Sequence, residues 1–289
     1  MVKILKIFLL LFIFSSLPSK VLILKWRDTD FYNEAIEGFK EVITTSYEVY
    51  SCNGKTEEVS KILSRSDEYD VIVLIGEGAL KGGINMNIKK NIVFAMVYNP
   101  EIIVKGKENI TGVSLNISSK TQFQTIKRIF PEIKKIGIIY SNEILIKDID
   151  KISSTYGFNL KKIKINNENE ISSALLSLKN CELILIIPDP ILSSYLISSI
   201  LVFSIENRIP VFAPSDKIVE AGAVIGLVPN YRENGKKAAK LVNEIIKSKT
   251  IPPIEEMESG KLYLNEKVAK EIGITFPDDI IKEAVKIFK

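Results

Sequence analysis

Polar and aromatic side chains gather immediately after runs of apolar residues in this chain. Trp26, Arg27, Asp28, Asp30 and Phe31 follow the run Val21–Leu24; Gly76-Glu77-Gly78-Ala79 follows Val71–Ile75; Tyr98 and Asn99 follow Ile92–Met96. The second half repeats the arrangement. Tyr140, Ser141 and Asn142 close the run that starts at Ile136, Asp189 follows Leu183–Ile187, Ser215 and Asp216 follow Val211–Ala213, and Tyr231 lies beyond a further extended run. Together these supply aromatic walls, carboxylates, hydroxyls and, at the glycine-rich turn, free backbone N–H groups. Such a set suits a zwitterion with an apolar side chain: the ammonium on Asp189 or Asp216, the carboxylate on N–H groups and on Ser141 or Ser215. The glycine turn is not a nucleotide loop, because no Gly-Lys-Ser/Thr follows it.

The other chemistries fall away by composition. The chain of 289 residues has no histidine, so Ser-His-Asp and Cys-His catalysis and histidine metal sites are excluded. Cys52 and Cys181 lie in different halves and neither has a Cys-x-x-Cys partner, which fits two small buried thiols. The formal charge is only +4, and Lys3, Lys6 and Lys20 account for most of it. No strong positive field exists for nucleic acid. The expectation is a protein that is not an enzyme and needs neither cofactor nor metal.

Short strands that are apolar on both faces belong to parallel sheets covered by helices on each side. Between them lie stretches of helical spacing, such as Ala35, Ile36, Phe39, Val42 and Ile43, which Thr29 or Asp30 would cap. Other helices are expected over Glu57–Leu63, Gln122–Phe130 (stopped by Pro131), Ile171–Leu178 and Ser193–Glu206. Glu233–Lys247 carries an apolar face of Ala238, Leu241, Val242, Ile245 and Ile246. The rhythm occurs twice, so two α/β lobes are expected, with the clusters above facing each other from their strand ends. No polar linker separates the halves, which fits several short crossings between the lobes. Ahead of all this, Lys3 and Lys6 precede the apolar run Ile7–Phe14 and a serine-rich stretch, the pattern of an export signal over residues 1–20 and too short to span a bilayer.

Four motifs, in order, resemble a known family. Glu37-Gly38-Phe39 is similar to its "EGF" signature, Asn109–Ser114 matches "NITGVS", and Phe130–Gly137 resembles "LP..KKIG". Leu264-Asn265, Ala269 and Ile272-Gly273-Ile274 resemble the closing "IN...A..LGI.IP", with Pro277 in place and Phe276 substituted. The family is the extracytoplasmic solute-binding proteins of ABC importers that includes tryptophan-binding proteins, and the likeness covers essentially the whole chain after residue 20. It implies a type I periplasmic-binding fold: two doubly wound parallel-sheet lobes joined by a multi-strand hinge. The first lobe would hold 21–113 plus 231–250, the second 114–230 plus 251–289. The implied function is capture of a small amino acid-like, aromatic-compatible solute between closing lobes, acting as a monomer outside the cytoplasm and delivering to a membrane permease, with no nucleic acid partner. The same fold also serves as the sensing module of membrane receptors. Family members carry an aspartate where Asp189 stands, whereas their usual following asparagine is Pro190 here.

Overall fold

The computed structural model describes residues 19–147 and 149–289. The expected export signal therefore lies outside the described residues, apart from its last two positions. The first sheet grows from five strands separated by helices: β1 (Lys20–Lys25), α1 (Asp30–Lys40), β2 (Ser46–Ser51), α2 (Thr56–Leu63), β3 (Val71–Ile75), α3 (Glu77–Asn85), β4 (Asn91–Val97), α4 (Pro100–Ile103) and β5 (Ile110–Ile117). The chain then builds α5 (Ser119–Ile129), β6 (Lys135–Tyr140), α6 (Ile149–Thr155), β7 (Asn159–Lys164), α7 (Ile171–Ser177), β8 (Leu183–Leu185), α8 (Ser194–Asn207), β9 (Val211–Ala213), α9 (Asp216–Ala221) and β10 (Ile225–Pro229). The last part comprises α10 (Tyr231–Ser248), β11 (Glu255–Met257), β12 (Gly260–Asn265), α11 (Glu266–Glu271), α12 (Asp278–Glu283) and β13 (Lys286–Phe288).

The strands form two sheets, ordered β11-β5-β4-β3-β1-β2 and β13-β12-β10-β9-β8-β6-β7. Every pairing is parallel except β10 with β12. Alternation explains the double burial. Val21 and Ile23 of β1 face α1 and α10, while Leu22 and Leu24 face α2 and α3. The same division holds in the second sheet, where Ile138 faces α5 and Ile139 faces α7 and α8. One apolar cluster includes residues of both sheets, so the lobes share a continuous core along the hinge side.

The chain passes between the sheets three times: at Ser118, at Asn230, and between Met257 and Gly260. The changeovers expected after residues 113 and 250 fall earlier than this. β5 continues in the first sheet to Ile117, and β11 adds to that sheet's edge beside Val113 and Ile117. α10 lies against α1 and β4 of the first sheet. There the backbones come within contact distance, since a β-carbon at Gly235 would stand 1.8 Å from the Ala35 carbonyl oxygen and one at Gly38 would stand 1.9 Å from that of Arg232.

Some local expectations change. Thr29 occupies the N-cap position of α1 with extended backbone, yet its side chain makes no capping bond and its hydroxyl oxygen is buried without a partner. Asp30 is simply the first, exposed residue of the helix. The segments Pro100–Ile103 and Asp216–Ala221, which carry no long periodic pattern, form short helices right after Asn99 and Ser215. Both cysteines are buried and free, and burial pushes the Cys52 thiol up to about 11.

Candidate functional site

The strand ends of the two sheets face one another across a cavity of about 590 Å³. From the first lobe it is lined by α3 (Glu77, Lys81, Ile84), by Tyr98 and Asn99 beyond β4, and by Ile102 and Ile103 of α4. From the second come Pro188, Asp189, Leu192, Ile197, Pro214, Ser215 and Ile218. A second cavity of about 590 Å³, on the first lobe, is lined by Trp26, Arg27, Thr29, Phe31, Tyr32 and Gly78 and shares Glu77 and Lys81 with the first. The two therefore adjoin along one face of α3. Glu77 and Lys81, one turn apart, form an ion pair on that shared edge. Both side chains are more than half exposed, so breaking this pair for a ligand costs little.

Asp189 is the chemically pointed feature. It is 8% exposed and lies at the end of the β8 segment, fixed between two prolines. One carboxylate oxygen accepts from the Ser141 N–H at 2.7 Å, and the other accepts from the Ser141 hydroxyl at 2.7 Å and the Ile191 N–H at 3.0 Å. These bonds orient the carboxylate but bring no positive charge, and no ion pair reaches Asp189 among the described residues. A carboxylate has about four acceptor positions, so one remains for an incoming donor. A buried, uncompensated negative charge is what a ligand ammonium would stabilise.

The opposite wall offers the complement. α3 starts at Glu77 after Gly76, whose φ of +91° only glycine adopts without strain. The first N–H groups of a helix have no intrahelical acceptor and carry the positive end of its dipole. Gly78 sits beneath the Trp26 indole so closely that a β-carbon there would stand 2.3 Å from ring carbons. Gly76 has a similar reason to lack a side chain, since its β-carbon would lie 2.4 Å from the Tyr32 hydroxyl. The glycines of this turn thus let two aromatic rings close over the helix start.

The rings at the seam influence one another. Burial pushes the Tyr98 phenol well above the usual range, with Tyr231 and Asp216 adding to it. Tyr231 is pushed up to about 12 by burial, then by Asp216, Tyr263 and Glu34. Its ring lies 6.0 Å from that of Phe31. Tyr231 thus stands beside Phe31 of the adjoining cavity, and neither it nor Asp216 lines either cavity. Asn99 reaches across: its amide donates to the Pro188 carbonyl at 2.9 Å and accepts from the Asn116 amide at 2.8 Å.

The structure divides the candidates. Tyr98, Asn99, Asp189 and Ser215 line the main cavity, and Trp26, Phe31 and Gly78 line the adjoining one. Gly76 and Ala79 are buried behind them as the frame of the turn. Ser141 is committed to Asp189, so its hydroxyl proton is not free for a carboxylate. Ser215 accepts the capping bond from Ile218 N–H at 3.3 Å and keeps its proton for donation. Four candidates lie elsewhere. Asp28 is exposed and held by Lys25 at 2.9 Å and Asn33 at 2.8 Å. Asp30 points to solvent at the helix start. Tyr140 is buried in the core with its hydroxyl on Glu143 at 3.1 Å. Asn142 caps the turn at Ile144. Sequence reasoning missed Lys81, Ile84, Ile102, Ile103, Leu192, Ile197 and Ile218 as lining residues. The i, i+4, i+7 spacing of Glu77, Lys81 and Ile84 was the available signal.

Comparison with known proteins agrees with this architecture. A tyrosine-binding protein of Clostridioides difficile (strain R20291) is 24% identical over 225 residues, which is 72% of this chain and 64% of that protein's length. A Streptococcus pneumonia ABC domain in complex with L-Trp superposes with a TM-score of 0.63 at 20% identity, covering 94% of this chain and 100% of that one. The ligand-free, open structure of a substrate binding protein with adhesive properties from Clostridium difficile gives 0.72 at 20% identity, covering 94% and 99%. These structures share the fold: two mostly parallel sheets with helices on both faces. The sequence profile of the ABC transporter substrate binding proteins matches residues 34–288, and the chain belongs to that family.

Proposed function

We propose that this protein captures a zwitterionic amino acid with an apolar, aromatic-compatible side chain outside the cytoplasm and delivers it to an ABC permease. The observation that carries the reading is Asp189: a buried carboxylate with oriented oxygens and, among the described residues, no cationic partner, in the wall of a cavity otherwise lined largely by isoleucine, leucine, proline and tyrosine. The ligand ammonium meets Asp189. Its carboxylate meets the N–H groups at the start of α3 and the Ser215 hydroxyl, and its side chain lies against Tyr98 and the aliphatic residues of α4 and α8. The lobes comprise the two sheets with their helices, bend at Ser118, Asn230 and 257–260, and close on the ligand. Residues 1–20 serve as the export signal, and the protein works as a monomer without catalysis. The tyrosine-binding relative and the tryptophan-bound structure with the same fold support the aromatic amino acid class.

Closure requires that the ligand prefer the closed state, by ~10⁴-fold to move the lobes from mostly open to mostly closed. The test is calorimetry of the purified chain lacking residues 1–20 against the twenty amino acids. Micromolar or tighter binding of tyrosine, tryptophan or phenylalanine is expected. Binding of none of the twenty, with no rise in melting temperature, would overturn the reading.

A further inference from the structure

We infer that Asn234, which touches neither cavity, is the positioning residue that turns Tyr98 and Asn99 into the cleft. β4 and β5 pair regularly up to Phe94 opposite Gly112, then resume at Val97 opposite Ser114. Two residues, Ala95 and Met96, therefore face the single residue Val113, which defines a β-bulge. Met96 carries the distortion with φ +59°, a left-handed conformation uncommon for a non-glycine residue.

The bulge reverses the strand's alternation, and the packing records it. Ile92 and Phe94 face α2 and α3, whereas Val93 and Ala95 face α1 and α10. Met96 joins Ala95 on the α10 side, and Val97 turns back to the α3 side. A regular strand would have sent Met96 and Tyr98 towards α3 and buried them there, since a one-residue shift exchanges the two faces. With the bulge, Tyr98 packs against the core shared by the lobes and borders the cavity, and Asn99 reaches Pro188 of the second lobe.

A bulge strands backbone polar groups, and Asn234 satisfies them. The residue is fully buried on α10. Its Oδ1 accepts from the Met96 N–H at 2.9 Å, and its Nδ2 donates to the Ser114 carbonyl at 3.0 Å and the Val113 carbonyl at 3.4 Å. One amide thus replaces the ladder bonds lost on both strands at the bulge. An apolar side chain of the same size would leave those groups buried and unpaired, which favours a regular register.

The test uses N234L, of similar volume but without hydrogen bonds, and N234S, whose hydroxyl is too short to reach the Met96 N–H. Binding of L-tyrosine and L-tryptophan is measured by calorimetry, and amide hydrogen exchange is followed residue by residue. This binding arm rests on the proposed amino acid function; the exchange arm does not. Affinity is expected to fall by about 10- to 100-fold, and the amides of residues 96–99 to exchange at least about tenfold faster, with the second sheet unchanged. In the N234L/Y98A double variant the affinity loss should be no greater than in Y98A alone, because both remove the same contribution. Either of two results overturns the inference: wild-type exchange at 96–99 in both single variants, or a uniform loss of protection across both sheets with affinity retained. If N234L does not fold, N234S carries the same expectations. Failure of both amino acids to bind the wild-type protein would remove the proposed substrate class and leave the exchange comparison to decide the role of Asn234.

Discussion

The two lobes each place an acidic side chain just after an apolar strand, and they use it in opposite ways. Asp28, after β1, is exposed and bound to Lys25 and Asn33, which hold its carboxyl below the ordinary carboxylate range, the Lys25 hydrogen bond being the largest cause. Asp189, after β8, is buried and receives three neutral donors but, among the described residues, no cation. The same residue type at the same place in the strand–loop pattern is surface chemistry in one lobe and an uncompensated charge in the other. A carboxylate becomes a recognition group when its neighbours orient it without neutralising it. The first lobe contributes instead a helix start roofed by Trp26 and Tyr32, a positive pole without a full charge.

The sharpest way to break this comparison is to remove each charge. D189N is expected to weaken amino acid binding by at least about 30-fold, since truncating one partner of a buried charge pair costs about 2–5 kcal/mol. D28N should change affinity by less than about twofold, because the Asp28 carboxylate is exposed, is already paired with Lys25 and lines neither cavity. Calorimetry with the same amino acid decides, and equal losses in the two variants would show that burial does not distinguish them.

A smaller effect is expected at the first lobe's aromatic roof. G78A places a methyl group against the Trp26 indole at 2.3 Å and must displace it, an overpacking cost of about 1–3 kcal/mol. Trp26 is the chain's single tryptophan, so its emission reports the displacement directly. A shifted emission maximum together with a five- to tenfold affinity loss is expected. An emission shift with unchanged affinity would assign recognition to the main cavity alone.

The smallest effect concerns the seam. Tyr231 ionises near 12 in the folded protein against about 10 in an unfolded chain. Between those values the unfolded state has lost a proton that the folded state keeps. The stabilisation is thus fully present below pH 10 and is lost as pH rises towards 12. Melting temperatures measured across pH 9–12 should fall less steeply in Y231F than in the wild type. Parallel curves would mean that the phenol does not report burial at the lobe boundary.

Much of the fold was legible because apolar runs record burial locally. Val21–Leu24, Val71–Ile75, Ile92–Met96 and Ile136–Tyr140 are strands at nearly the expected positions. The helices over 119–129 and 194–207 also fall close to the expected Gln122–Phe130 and Ser193–Glu206. β11 was not legible: Glu255-Glu256-Met257 has no strand pattern and is a strand only because the free edge of β5 lies beside it. α4 and α9 escaped for a similar reason, being too short to show a helical period. At the site, strand-end position brought out Trp26, Tyr98, Asn99, Asp189 and Ser215. It could not separate them from Asp28, Asp30, Tyr140 and Asn142, which share that position but turn to other partners.

The sequence by itself determined the two-lobed α/β plan, the absence of histidine chemistry and the strand ends as the place to look, because composition and periodicity are properties of the chain read in order. Only the tertiary structure decided which charges stay uncompensated and which rings face the cleft. Ser141 meets Asp189 and Asn234 meets Met96 across long stretches of sequence, and a one-residue bulge sets the face on which Tyr98 emerges. Hydrogen-bond partners chosen through space leave no trace in spacing, and they fix what each side chain is free to do.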